Sequence, residues 1–312
     1  MAALSARLSV SMCFVWLGIV LLSQVFAYAS VVSATAIPDK ATGRGKNPPD
    51  AVVLWTNYSY QEEKPRMALP LLQGKHAIPG SHPWQASIQM EIAGSRKIHA
   101  CGATLIKPCW VITAAHCVND SAQTSSLKIQ LGKNNLYRKE PSTEQVLDVG
   151  QIIIHQAFRK VNDSLYNDIA LIKLNGTCAT ETKFVKTLPL AEEAFPPGMA
   201  CQISGWGKTE LGIYSYRRLL EGTVKLINRT TCMEPQVYGD HLDDKMMCAG
   251  DLSGTSADAC QGDSGGPLTC ERNGQRYLYG IISWGRSCGK VNKPGVYIII
   301  PKYLDWIRAH MQ

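Results

Sequence analysis

Three residue types that together perform acyl transfer stand in suggestive settings in this 312-residue chain. Ser264 lies in Gly262-Asp263-Ser264-Gly265-Gly266-Pro267, among glycines whose backbone N–H groups are open to approach. His116 lies in Thr113-Ala114-Ala115-His116-Cys117, directly after the apolar run Cys109-Trp110-Val111-Ile112. It therefore stands at the end of a buried strand, beside a cysteine able to pin its loop. A serine hydroxyl is a poor nucleophile until a base takes its proton, and histidine serves as that base only when its tautomer and orientation are held. A buried carboxylate is the natural holder. Asp168, in Asn167-Asp168-Ile169-Ala170-Leu171, precedes an apolar run where the chain turns inward. Taken singly, the three also read as an inert turn serine, a core histidine and a capping aspartate.

Such groups need rigid elements to hold them. From Leu71 onward, short apolar runs broken by turns recur at 86–92, 103–106, 110–113, 152–154, 169–174, 223–227, 277–283 and 295–300. With 26 Gly, 16 Pro and only 18% charged residues, this pattern predicts an all-β domain built as barrels or a sandwich. Collagen, coiled coil and a wholly disordered chain are excluded. Tyr303, Leu304, Trp306 and Ile307 fall at helical spacing and predict a short C-terminal helix docked on the body. The 32 Lys and Arg against 25 Asp and Glu (net +7) are scattered, which argues against a nucleic-acid partner or a polybasic membrane patch.

The amino terminus reads differently. Arg7 precedes an apolar stretch over 10–26, and Ala27-Tyr28-Ala29 matches a signal-peptidase site, so residues 1–29 are expected to be a signal peptide. An uncleaved anchor is the competing reading, because Val31, Val32 and Ile37 extend the apolar character. Residues 30–70 are Pro-rich and lack cysteine, as in a flexible leader. Secretion to the extracellular space, without stable membrane insertion, is the expectation. Of the 11 cysteines, ten remain once Cys13 leaves with the signal, and in an oxidising compartment they imply five disulfides. Metal-ligand spacing does not accompany them. Asn-x-Ser/Thr sequons at Asn57, Asn119, Asn162, Asn175 and Asn228 fit a glycoprotein.

The motifs around His116, Asp168 and Ser264, in that order, resemble those of the trypsin-like (chymotrypsin-family) serine proteases. Pro83-Trp84-Gln85, Ser204-Gly205-Trp206-Gly207 and Ser283-Trp284-Gly285 extend the likeness from Leu71 to the C-terminus. The resemblance implies two six-stranded antiparallel β-barrels with a short C-terminal helix over 71–312. His116 would be general base and acid, Asp168 its orienting partner and Ser264 the nucleophile, with an oxyanion hole from Gly262 and Ser264. Asp258 would floor the specificity pocket, between walls at Gly285 and Gly295 and beside Ser283 and Trp284. An acidic floor selects Arg or Lys, and Ala259, where many relatives carry serine, favours Arg, because a guanidinium still pairs with a carboxylate through two N–H groups. The implied bridges are Cys101–Cys117, Cys201–Cys270, Cys232–Cys248 and Cys260–Cys288. The remaining Cys109 and Cys178 match an additional bridge of the group that includes plasminogen activators, hepatocyte growth factor activator and hyaluronan-binding protein 2. Lys133 stands where calcium-binding relatives have an acidic ligand, so neither a metal nor another cofactor is expected.

One feature departs from the pattern. Members of the family are activated by a cut after Arg or Lys, which frees a terminus that pairs with the aspartate before the nucleophile, here Asp263. The matching terminus is Leu71, yet Pro70 precedes it. The leading expectation is a secreted endopeptidase that cuts protein or peptide substrates after Arg, less well after Lys, and meets macromolecular protease inhibitors. A zymogen-locked homologue acting as a binding or regulatory protein is the alternative, and a structural or matrix protein that merely keeps the fold is a third.

Overall fold

The computed structural model describes residues 74–92, 96–119, 124–207, 217–254 and 257–311. The expected signal peptide, the leader, Asn57 and Leu71 lie outside the described residues. The strands are β1 (Lys75–His76), β2 (Gln85–Ile92), β3 (Arg96–Lys107), β4 (Trp110–Thr113), β5 (Leu127–Leu131), β6 (Gln145–Ile154), β7 (Arg159–Val161), β8 (Ser164–Tyr166) and β9 (Ala170–Asn175). After them come β10 (Ala200–Gly205), β11 (Leu220–Leu226), the short helix α1 (Arg229–Cys232), β12 (Met246–Gly250), β13 (Pro267–Arg272), β14 (Gln275–Trp284), β15 (Gly295–Ile299) and the terminal helix α2 (Leu304–His310).

The strands close into two antiparallel barrels. In the first the order is β2-β3-β4-β9-β6-β5, closed by β2 against β5 from Ala86↔Leu131 to Met90↔Leu127. The second runs β11-β10-β13-β14-β15-β12, and β12 returns to β11 through Lys225↔Gly250 and Leu226↔Ala249, with β1 on the outer edge of β11. Side-chain alternation drives this. In β5, Leu127, Ile129 and Leu131 are buried and Lys128 and Gln130 half-exposed; in β11, Leu220, Val224 and Leu226 turn inward between exposed Thr223 and Lys225. Strand β4 has no exposed side: all four residues of Trp-Val-Ile-Thr are buried.

The burial of β4 fixes the residues that follow it. The chain leaves β4 into a 3-10 turn, Ala115–Cys117, and a disulfide from Cys117 to Cys101 on β3 holds that turn to the barrel. The other bridges are Cys109–Cys178, Cys201–Cys270, Cys232–Cys248 and Cys260–Cys288, the same pairs the resemblance implies. Helix α2 buries Ile307 and docks through Trp306, whose Nε1 donates to Gln156 Oε1 at 3.0 Å. The sequon residues Asn119, Asn162, Asn175 and Asn228 are all exposed. No helix among the described residues is long and apolar enough to cross a membrane.

Candidate active site

Asp168 enters the site through a left-handed residue. Asn167 has φ 51°, a conformation that asparagine tolerates better than most side chains, and its carboxamide is locked by Tyr303 Oη and Lys245 Nζ, each 3.1 Å from Oδ1. Asp168 follows, fully buried, and receives three donors. The His116 N–H donates to Oδ1 at 2.8 Å, and Oδ2 lies 2.8 Å from His116 Nδ1 and 2.5 Å from the donating Ser283 Oγ. A carboxylate so placed takes the proton of Nδ1 as its hydrogen bond and leaves Nε2 as the acceptor that a base requires. Cys101, His116 and Cys117 also gather metal-type atoms. Both sulfurs, however, are spent in the disulfide, so no thiolate is on offer there.

Ser264 comes from the second barrel and is seated against the first. Its carbonyl accepts the Gly102 N–H at 2.8 Å. A Cβ on Gly265 (φ 79°) would fall 2.1 Å from Thr113 Oγ1, so glycine there lets the serine turn close on the strand that leads to His116. Around Ser264 the N–H groups of Asp263, Gly265 and Gly266 are occupied by Cys260 O, Ile282 O and Asp263 O at 2.9, 2.8 and 2.9 Å. Among the described residues, the N–H groups of Gly262 and Ser264 have no backbone acceptor. Gly262 itself has φ 97°, and its carbonyl is 2.9 Å from His99 Nε2. Two free donors in a turn pinned on both sides are the arrangement that stabilises an oxyanion.

A cavity of about 220 Å³ opens beside Ser264 and is lined by Asp258, Ala259, Ser283, Trp284, Gly285 and Gly295 among others. Asp258 is buried at one end. Its Oδ2 accepts the Gly289 N–H at 2.8 Å, while Oδ1 is buried with no hydrogen-bond partner among the described residues. Burial pushes the carboxyl up to about 6, partly offset by the nearby N–H groups of Gly289, Ala259 and Gly295. A Cβ on Gly295 would stand 3.2 Å from Asp258 Oδ1 and 3.1 Å from Tyr297 Oη, so this glycine keeps the acidic end open. The profile of the Trypsin family matches residues 71–307.

The chain belongs to the trypsin family.

It is 41% identical over 248 residues to the hepatocyte growth factor activator serine protease of Mus musculus, an alignment that covers 78% of this chain and 37% of the relative. The Homo sapiens counterpart is 40% identical over 248 residues, covering 78% and 36%. Urokinase-type plasminogen activator of Gallus gallus is 41% identical over 251 residues, covering 77% and 57%. The chain thus spans about a third of the length of the first two.

Several residues that complete this trypsin-family site carry no motif of their own. His99 lies in β3 next to a bulge, where Ile88↔Cys101 gives way to Gln89↔His99. Its Nδ1 is 2.7 Å from Ser87 Oγ, and burial holds its pKa down to about 4 against the opposing pull of the Gly262 carbonyl. The ring is neutral, donates from Nε2 to Gly262 and accepts at Nδ1 from Ser87. Ser283, expected at the pocket, also touches Asp168, so the cavity wall and the histidine's partner share one hydroxyl. Lys133 is buried, with Nζ 2.5 Å from Glu144 Oε2 and bonded to Arg138 O; the ammonium already supplies positive charge inside that loop. Asp263 is buried and accepts from Gly207 N at 2.7 Å and Cys260 N at 3.0 Å, but no cation pairs with it among the described residues.

Proposed function

We propose that the chain is a secreted serine endopeptidase that cuts protein and peptide substrates after Arg, less well after Lys. The observation that carries the specificity is the buried Asp258 carboxyl at the end of a cavity that opens on Ser264, its Oδ1 without a side-chain partner or counter-charge among the described residues. A guanidinium entering there supplies the missing donors and the counter-charge, and Ala259 adds no hydroxyl to favour an ammonium. With the arginine seated, Ser264 Oγ attacks the carbonyl carbon as His116 Nε2 takes its proton. Asp168 stabilises the imidazolium, and the Gly262 and Ser264 N–H groups receive the oxyanion. His116 then protonates the leaving amine, and water, activated by the same imidazole, releases the acyl group. Residues 1–29 serve as signal peptide, 30–70 as leader and 71–312 as the protease domain. Leu71, once freed, would bring an ammonium to Asp263, which pairs with no cation among the described residues.

A second reading has one observation in its favour. Asp263 is buried with no cation beside it among the described residues, and Pro70 bars a trypsin-like enzyme from making the cut that would supply one. A chain held in that state would bind partners without turning over substrate. Both readings meet in one assay on an Arg ester, with the parent protein carrying Pro70→Arg so that trypsin can cut before Leu71. Ser264→Ala should abolish turnover, and Asp258→Ser should lower kcat/KM for Arg by about 2–5 kcal/mol in transition-state terms. Absence of turnover in the cut parent protein favours the binding protein; equal activity in parent and Ser264→Ala removes the mechanism.

A further inference from the structure

Beside the Asp258 cavity lies a second, shallower one that shares Gly285 and Ser287 with it and is lined further by Lys160, Asp163, Leu165 and Arg286. Arg286 is held in place by neutral groups. Its Nη2 donates to His241 Nε2 at 3.0 Å, so that nitrogen carries no proton, and its backbone N–H reaches Tyr238 Oη at 3.4 Å. Tyr238 is anchored in turn on Pro294 O at 2.6 Å and packs edge-on against Trp284. Arg286 takes part in none of the ion pairs among the described residues, where its Nε is buried without a hydrogen-bond partner. The nearest charges add to the imbalance. Lys293, whose ammonium sits on the Gln236 and Val237 carbonyls, feels the positive charge of Arg286, and exposed Lys160 faces the same cavity. Asp163 and Asp240, the carboxylates of the adjoining loops, are exposed.

Resting on the endopeptidase reading, we infer that Arg286, with Lys160, selects substrates carrying an acidic residue three or four places before the cut bond. The register follows from the strand end. A substrate with its arginine at the Asp258 cavity, extended antiparallel to Ser283–Trp284–Gly285, advances one residue per residue of that strand, so its third upstream residue meets Gly285 and its fourth meets Arg286. A side-chain carboxylate there finds a preset guanidinium that makes no ion pair among the described residues, Asp163 being the one acidic side chain lining the same cavity, and buried Leu165 supplies an apolar wall for its methylenes.

The test compares peptide substrates identical except for Glu, Ala or Lys at the third and fourth positions before the cut bond, Arg being the first. The cut parent protein should prefer Glu over Lys by about three- to tenfold in kcat/KM, a preference that shrinks as salt rises. Arg286→Gln should bring the ratio toward one, and Arg286→Glu should invert it. A parent ratio of one, or a ratio unmoved by either substitution, overturns the inference. If no Arg peptide is cut, the endopeptidase reading fails separately. Calorimetry of product-like peptides ending in Arg, bound to Ser264→Ala, then decides the rim: tighter binding of the Glu peptide upholds it and equal affinity overturns it.

Discussion

Asp263 should make the protein more stable in mild acid than at neutral pH. Burial lifts its carboxyl from 3.8 to about 6, with the N–H groups of Cys260 and Gly207 opposing and the charge of Asp258 adding to the rise. A shift of about 2 units corresponds to about 3 kcal/mol. The sign follows from proton counting: between about pH 4 and 6 the folded chain keeps a proton that the unfolded chain has released. Stability therefore falls as pH rises through that window, and the whole contribution is gone above it. His82 and His99, whose pKa values burial lowers, act in the opposite direction. For this reason the quantity to measure is the difference between the parent and Asp263→Asn, by urea unfolding at pH 4 to 8. That difference should move against the parent by about 3 kcal/mol, roughly 1 M in urea midpoint. Pro70→Arg cut with trypsin should reverse the slope, because a terminal ammonium at Leu71 would pull the Asp263 pKa below its unfolded value. A difference independent of pH, or one that moves in the parent's favour as pH rises, would refute the picture of an unpaired buried acid.

Three other outcomes are open to measurement. Affinity for a small aryl amidine should fall about tenfold between pH 7 and 5 as Asp258, raised to about 6, takes up its proton; a flat profile would show that the carboxylate does not hold the cation. His99→Leu should lower kcat by about tenfold or more with little change in KM, since the Gly262 carbonyl loses its anchor, and His99→Gln, which keeps a donor, should recover part of it. Lys133→Met should cost about 3 kcal/mol in urea unfolding by stranding Glu144, and a loss under about 1 kcal/mol would mean that the loop relaxes freely.

Much of the architecture is written in local pattern. The runs that become β2, β4, β9, β14 and β15 are legible because each combines apolar residues with a turn signal at its end, and the terminal helix follows from the spacing of Tyr303 to Ile307. The nucleophile turn is equally local: Gly262 and Gly265 sit at φ 97° and 79°, and no other residue type meets that demand without strain. Strands β10, β12 and β13 escape such a reading, since Ala-Cys-Gln-Ile-Ser-Gly and Met-Met-Cys-Ala-Gly have no clean period and owe their state to neighbours that complete a barrel.

What no local pattern encodes is which distant groups meet. Ser283 reaches Asp168 across 115 residues and His99 reaches Gly262 across 163, and both contacts exist only because two closed barrels are pressed together along one seam. The same holds for charge. Lys133, Asp258, Asp263 and Arg286 are ordinary ionisable residues in the sequence. Their character comes from what surrounds them: a carboxylate for Lys133, a cavity beside the nucleophile for Asp258, two backbone N–H groups for Asp263 and a histidine ring nitrogen for Arg286. Burial and pairing set the free energy of a charge, and both are properties of the assembled tertiary structure.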